Sequence, residues 1–280
     1  MVLRSWAERG ASMLSYFPFM QKYYAGLGAI FMLHNVLKTQ EKIKFGDNMN
    51  VSQKFLESFI KRLQIKGFSF LGIDELCENL IKEKRMKKAV VFSLDDGYKN
   101  TYTNAYPLFK AYNVPFVVFV ATKFIGTENH MSMQELKALH KDKLCTLGGH
   151  THSHYSLATL ENKESVIEEI SLANRILEEN IGAKIKHIAY PYGCKNSTQL
   201  REVEVVKELG LISACSTRRG AIYKEHKDYL SCLPRIILRE NSSYRAIGRL
   251  RKARIVKFGG GGAVICLEII IIKPSIKRRS

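Results

Sequence analysis

Two stretches far apart in the chain, Ser93-Leu94-Asp95-Asp96-Gly97 and Gly149-His150-Thr151-His152-Ser153-His154, supply adjacent carboxylates and two imidazoles spaced four apart. Anionic oxygen and neutral imidazole nitrogen are what a divalent first-row metal takes from a protein when it keeps one position open to work on water. One carboxylate can bind such an ion while its neighbour handles a proton. Each half also has a plainer reading: Asp-Gly is a common turn after a strand, and three histidines within a few positions make an ordinary polar loop. Two adjacent carboxylates at a buried strand end, however, repel unless a cation or a proton separates their roles. On a helical turn His150 and His154 reach one ion while His152 points elsewhere. Gly148 and Gly149 allow close backbone approach. Tyr190-Pro191-Tyr192-Gly193 reads as a turn with aromatic packing, in which the Tyr192 N–H, held by the proline before it, can serve as an oxyanion donor.

A fold must bring these residues together, and short apolar runs alternate with helical patterns as in repeated βα units. Strands are expected at Ala29–Leu33, Ala89–Leu94, Val114–Val120 (interrupted early by Pro115), Leu144–Gly148, Lys186–Tyr190 and Leu211–Cys215. Helices are expected at Val51–Lys66, with Phe55, Phe59 and Leu63 on one face, and at Asp74–Lys84, Tyr102–Tyr112, Met131–His140, Lys163–Asn180 and Ser197–Leu209. Gly182 and Gly210 stop the last two. Such alternation implies a parallel sheet covered by helices, and the count suits a barrel better than an open sheet. Each polar cluster then falls at the C-terminal end of a strand: His34, Asp95 with Asp96, His150 to His154, and Tyr190 to Tyr192. In a (β/α) barrel those ends converge on one face, where the active site lies.

The 280 residues, 46% of them apolar, suit one large α/β domain. The formal charge of +18 suggests a polyanion partner, yet half of it sits in residues 245–280, where Glu268 is the single acid. The rest is spread over a domain without a basic stripe interleaved with aromatics, so no nucleic-acid partner is expected. Six cysteines without a CxxC pair read as small buried thiols of a reducing compartment. Charged residues from Arg4 onward argue against a secretory signal, and no run approaches the roughly 18 apolar residues of a membrane span. Cytoplasmic placement is the expectation. The chain divides into an N-terminal extension (1–24), a catalytic domain (25–244) and a basic, Gly-rich and apolar tail (245–280). The tail reads as a linker with a basic-flanked apolar end, as a closing strand, or as a weak peripheral membrane contact.

Three segments together carry a resemblance: Phe92-Ser93-Leu94-Asp95-Asp96-Gly97-Tyr98 with Ala105-Tyr106-Pro107, Gly149 to Leu157, and Ala189-Tyr190-Pro191-Tyr192-Gly193. They resemble, in order, the first three motifs of the polysaccharide deacetylases of the NodB-homology type, carbohydrate esterase family 4. The resemblance spans roughly residues 27 to 240, the size of a whole domain. It implies a distorted (β/α) barrel and an N-deacetylase that releases acetate from an N-acetylated glycan or sugar precursor. It further implies Asp96, His150 and His154 around zinc, with Co2+ or Ni2+ as alternatives, and Asp95 as the base that takes a proton from the attacking water. The Tyr192 N–H would help hold the oxyanion.

Most of the family places the acid, a His, in a late motif that has no match here. Phe31-Met32-Leu33-His34-Asn35-Val36 instead resembles the early strand of the permuted branch that deacetylates poly-N-acetylglucosamine, which implies His34 as the acid. Where the family often has an Arg, this chain has Ala189. In the permuted branch Arg235, in Leu233-Pro234-Arg235-Ile236, would replace it, reaching Asp95 from a neighbouring strand end. The alternatives are a catalytically silent carbohydrate-binding relative and a tail-driven peripheral membrane or polyanion-binding protein.

Overall fold

Strands that are apolar on both faces need cover on both faces, and three segments of this chain are buried from end to end: Gly28–Leu33, Ala89–Leu94 and Phe116–Val120. The computed structural model describes residues 26–39, 49–240 and 242; the N-terminal extension and the tail lie outside these. Strands β1 (Gly28–Leu33), β2 (Asn35–Leu37) and β3 (Asn50–Ser52) lead into helix α1 (Gln53–Ile65). Then come β4 (Ser69–Phe70), α2 (Ile73–Ile81), β5 (Ala89–Leu94), α3 (Tyr106–Ala111), β6 (Phe116–Val120) and α4 (Met133–His140). They are followed by β7 (Cys145–Gly149), α5 (Lys163–Ile181), β8 (His187–Ala189), α6 (Leu200–Glu208), β9 (Ser213–Arg219) and β10 (Leu233–Ile237).

The sheet runs β1-β10-β9-β8-β7-β6-β5 and closes through β1 and β5, in register from Gly28 opposite Ala89 to Leu33 opposite Leu94. All of these pairings are parallel. The expected (β/α) barrel is therefore the fold. It is distorted: β7 and β8 share a single pair, Gly149 with Ile188. β4 pairs with the first two residues of β5, and β2 pairs with β3 in a separate small sheet.

Side chains alternate across each strand, so Phe31 and Phe92 face the helices while Ile30, Val91 and Leu233 fill the interior. Outside, Phe31 meets Phe59 of α1 edge-on at 5.1 Å, and Phe109 of α3 stacks on Phe116 at 4.8 Å. Helix α2 packs Ile73, Leu76, Cys77 and Leu80 onto the inward residues. Its Asp74 lies 3.2 Å from His187 at the start of β8, so α2 covers the end where the strands begin. The opposite end is left for the loops that follow the strands.

Element limits shift for identifiable reasons. The helix expected from Val51 starts at Gln53, because Ser52 turns its hydroxyl onto the Phe55 N–H (3.1 Å) and its strand pairs with β2. The strand expected from Val114 begins at Phe116, after the proline that cannot donate to a ladder. The helix expected over Tyr102–Tyr112 is divided: Thr101–Ala105 is a π turn, with the Tyr106 N–H on the Thr101 carbonyl, and α3 follows with Pro107 in its first turn. The remaining elements differ by a few residues, with β9 running on to Arg219 beyond the expected Cys215.

Gly148 is closely packed behind the site. A Cβ there would stand 2.6 Å from the Phe119 ring and 2.7 Å from the His187 carbonyl oxygen. Overpacking of this kind costs about 1–3 kcal/mol, so Gly148→Ala should lower the thermal midpoint by several degrees, read from circular-dichroism melts.

Candidate active site and metal centre

The first loop begins as an extension of the barrel, with the Asp95 N–H bonded to the Leu33 carbonyl at 3.0 Å. Asp96 (φ 70°) and Gly97 (φ 80°) then turn left-handed. That conformation is tolerated by Asp and free for Gly, and it sends two adjacent carboxylates to different partners. The second loop likewise extends β7, with the His150 N–H on the Val120 carbonyl at 2.9 Å. It does not form the helical turn expected from the spacing of its histidines. Thr151 (φ 62°) and His154 (φ 59°) are left-handed, and these two turns bring both imidazoles back to one carboxylate. The loop is held from both sides. Thr122 and Lys123 donate to the Thr151 and His152 carbonyls, and Glu169 of α5 accepts the Ser153 N–H at 2.9 Å on its side chain and the His152 N–H at 3.1 Å on its carbonyl. His152 turns away to Thr122 Oγ1 (2.9 Å), outside the cluster, as expected.

Asp96 Oδ1 lies 3.3 Å from His150 Nε2 and 3.1 Å from His154 Nε2. The three ligand atoms all fall within 4.8 Å of one another. Close as they are, Asp96 Oδ1 receives no well-directed hydrogen bond and is buried. His150 Nδ1 is 2.7 Å from the Ala189 carbonyl, an acceptor only, so Nδ1 carries the hydrogen and Nε2 presents a lone pair. A lone pair facing a buried carboxylate oxygen needs a cation or a proton between them, and this donor set suits zinc and its neighbours. Burial pushes the Asp96 carboxyl up, but His150 and His154 hold it far below the ordinary carboxylate range. Burial would lower His150; Asp96 and Asp95 together raise it.

Asp95 is sealed in, at 2% exposure, and is clamped by Arg235 through two parallel bonds, Nη1 to Oδ1 at 2.6 Å and Nη2 to Oδ2 at 2.8 Å. Arg235 is itself 1% exposed. Its Nε donates to the Ser216 carbonyl at 2.9 Å and Nη1 also to Ser93 Oγ at 3.1 Å, while the Phe119 ring centroid lies 5.8 Å away. The expected pairing is present, but its origin needs correcting. Arg235 sits in the middle of β10 and not at a strand end, and β1 intervenes between β10 and β5. It reaches Asp95 through the barrel interior because Leu233 and Arg235 share the inward face with Val91, Ser93 and Asp95. Burial pushes the Asp95 carboxyl up, and Arg235, followed by His150, outweighs it, so the group stays below its ordinary value.

His34 follows β1 directly and is buried beside this pair; its Nδ1 has no partner among the described residues. Burial lowers its pKa, with Asp95 and Asp96 pulling it back up, so the resting imidazole is neutral at pH 7. Tyr192 is left-handed (φ 61°), with Thr217 Oγ1 on its carbonyl at 2.5 Å. Its N–H has no acceptor among the described residues, which leaves the donor free for a ligand. Its ring is exposed and lies 5.3 Å from His154.

Two neighbours had no assigned role in the sequence reading. Tyr98, half-buried in the Asp-Asp-Gly loop, lies near Asp96; burial first, then that charge, pushes its hydroxyl up to about 12, so it remains protonated. His130 stacks between Tyr98 (4.7 Å) and Phe124 (5.1 Å). Tyr98 follows the motif by one residue and could have been found there; nothing in the sequence marks His130.

A parallel barrel whose strand ends gather Asp96, His150 and His154 beside a carboxylate held by an arginine has the groups that metal-assisted hydrolysis requires. The polysaccharide deacetylase family model matches residues 82–212. A poly-beta-1,6-N-acetyl-D-glucosamine N-deacetylase of Staphylococcus aureus (strain MRSA252) is 31% identical over 214 residues, 72% of either chain. Among solved structures, the Streptococcus pyogenes deacetylase PplD in complex with acetate matches with a TM-score of 0.71 at 20% identity, covering 80% of this chain and 97% of that one. IcaB from Ammonifex degensii matches at 0.68 and 20% identity, covering 81% and 97%. The chain belongs to the polysaccharide deacetylase family, whose members are hydrolases of amide bonds.

Removing one partner of a buried ion pair strands the other, at a cost of about 3–5 kcal/mol. With Arg235 present, the depressed Asp95 carboxyl contributes stability above its unfolded value near 3.8, lost as pH falls through the lower folded value. Arg235→Met raises the folded value instead. The deficit in urea unfolding free energy against wild type should therefore be largest near pH 7 and shrink towards pH 4.

Proposed function

We propose that this protein removes N-acetyl groups from the glucosamine residues of a poly-N-acetylglucosamine glycan and releases acetate, with a divalent ion, zinc first, held by Asp96, His150 and His154. The observation that carries the reading is the convergence of those three ligand atoms beside a carboxylate that Arg235 keeps ionised. The 31% identity to a deacetylase of that polymer supports the choice of glycan.

When bound, the ion supplies a Lewis acid for the acetamide carbonyl and lowers the pKa of the water that attacks it. Asp95 takes that water's proton. Both its oxygens accept from Arg235, but each carboxylate oxygen has a second lone pair, and the clamp fixes where those lone pairs lie. The Tyr192 N–H donates to the oxyanion of the tetrahedral centre. His34 passes a proton to the departing amine. It rests neutral, and the negative charge gathering at the reacting centre raises its affinity for a proton when one is needed. The C–N bond breaks as nitrogen takes the proton from His34, giving the free amine and acetic acid, which loses its remaining water-derived proton to solvent and leaves as acetate; the proton on Asp95 returns to solvent and His34 takes one up from it, which restores both groups.

A binding-only relative would have no use for a base beside a metal ligand, and this site has both. The decisive assay is acetate release from N-acetylglucosamine oligomers. Asp95→Asn should reduce it about 10²- to 10⁴-fold and leave metal stoichiometry unchanged, whereas His154→Ala should lose the metal, read by elemental analysis. Chelation should abolish release, and Zn2+, Co2+ or Ni2+ should restore it. Bound metal and bound glycan with no acetate from wild type would sink the proposal.

A further inference from the structure

His34 can act as an acid only if it is placed against a leaving group held by other loops, yet its own Nδ1 has no partner among the described residues. Its position is therefore set by the backbone that carries it. On one side that backbone is β1. On the other it is β2, a three-residue strand whose Asn35 N–H goes to the Met49 carbonyl on the β3 edge at 2.9 Å. By the two-residue period of a strand, the N–H and C=O of Val36 face the opposite edge, where no strand is paired among the described residues.

Two asparagine side chains stand in for the missing strand. Asn100 Oδ1 accepts the Val36 N–H at 3.1 Å, and Asn104 Nδ2 donates to the Val36 carbonyl at 2.7 Å. Asn100 Nδ2 also donates to Asn35 Oδ1 at 2.7 Å. Both amides are orientated by this network: Thr103 Oγ1 donates to Asn104 Oδ1 at 3.1 Å, leaving Nδ2 for Val36. Asn100 and Asn104 flank and enter the π turn Thr101–Ala105, the irregular turn that follows the Asp95-Asp96 loop. Gln53 Nε2 holds the Asn104 carbonyl at 3.0 Å, tying α1 into the same knot. One short segment thus carries the base and a metal ligand at its start and grips the residues after the acid at its end. π turns recur at functional sites, and this one, with the residue before it, presents two side chains to the backbone N–H and C=O of a single residue, Val36.

We infer that Asn100 and Asn104 are positioning residues that fix His34 relative to Asp95 and Asp96, so that loss of their bonds impairs protonation of the leaving amine in particular. The inference rests on the deacetylase reading above. Zinc-loaded full-length protein is assayed on N-acetylglucosamine oligomers and on an aryl acetate, whose phenolate departs without needing a proton. Asn104→Leu should lower kcat on the oligomer about 10- to 100-fold, as small misplacements of catalytic groups do. It should leave KM and zinc stoichiometry alone and aryl acetate hydrolysis nearly unchanged. Added to His34→Ala it should cost nothing further, the mark of two residues acting through one step.

Asn100→Asp, which keeps the acceptor for the Val36 N–H, should lose less than Asn100→Leu on the oligomer; this pair decides the matter if Asn104→Leu does not fold. Equal losses on amide and ester, or losses that add to those of His34→Ala, would overturn the positioning role while leaving the deacetylase standing. A wild type that hydrolyses the ester and releases no acetate from the oligomer would instead remove the deacetylase reading, and the role with it.

Discussion

A carboxylate closed inside a barrel stays ionised only if a cation is closed in with it, and the Arg235–Asp95 pair is the contact on which the rest of this site depends. Desolvating the two ions costs several kcal/mol each, which their attraction offsets only when the geometry is good and the remaining hydrogens are met. Here they are: two parallel bonds to Asp95, one to Ser93 and one to the Ser216 carbonyl. That carbonyl is available because the β9–β10 register shifts, four residues of β9 spanning two of β10 between Cys215 opposite Leu233 and Arg219 opposite Arg235. Pro234, which cannot donate to a ladder, lies in the same stretch. The irregularity that weakens one strand pairing thus provides the guanidinium with an acceptor, in keeping with the clustering of bulges beside active sites.

The loops store strain at the same place. Of the seven non-glycine residues with left-handed backbone among those described, four are Asp96, Thr151, His154 and Tyr192. Such conformations cost roughly 1–3 kcal/mol each and persist only where surrounding bonds over-determine them. Those bonds are present: Glu169 and Thr122 on the histidine loop, Thr217 on the Tyr192 carbonyl and the Gly193 N–H on Pro191. Asp96, His154 and Tyr192 thereby aim a carboxylate, an imidazole and an amide N–H at points that an ordinary strand exit would miss, and Thr151 turns the loop between the histidines, its hydroxyl accepting the His154 N–H. A well-packed barrel of end-to-end buried strands supplies the stability against which this strain is held.

What the sequence made legible was whatever depends on period and on strand ends. Runs such as Ala89–Leu94 could only be covered strands, and the polar clusters after them had to converge once the barrel closed. The cluster of Asp96, His150 and His154 followed from residue type and from the family resemblance. What it did not show was backbone conformation: four-residue spacing suggested a helical turn for His150 and His154, and two left-handed residues achieve the same meeting by another route. Nor could spacing give the depth of Arg235, because which strands neighbour each other is a property of the closed barrel. The Asn100–Asn104 brace was invisible for a related reason. It joins side chains to the backbone of a strand more than sixty positions earlier, and asparagines after a turn are commonplace in any sequence.

The charges of the site explain why the two halves of the reaction differ so much in how firmly they are built. Asp95 and Arg235 cancel, and neutral His34 adds nothing, so Asp96 alone sets the sign at the centre. A divalent ion on it leaves a net positive site, which suits an oxyanion and opposes a charged imidazole. Asp95 is therefore rigidly fixed and held ionised at rest by an arginine that cannot lose its proton, while the acid in the proposed reaction must be able to change state within one turnover. A direct carboxylate partner on His34 Nδ1 would raise its affinity for a proton, whereas Asn100 and Asn104 bond to the Val36 backbone two residues on and add no charge beside the imidazole.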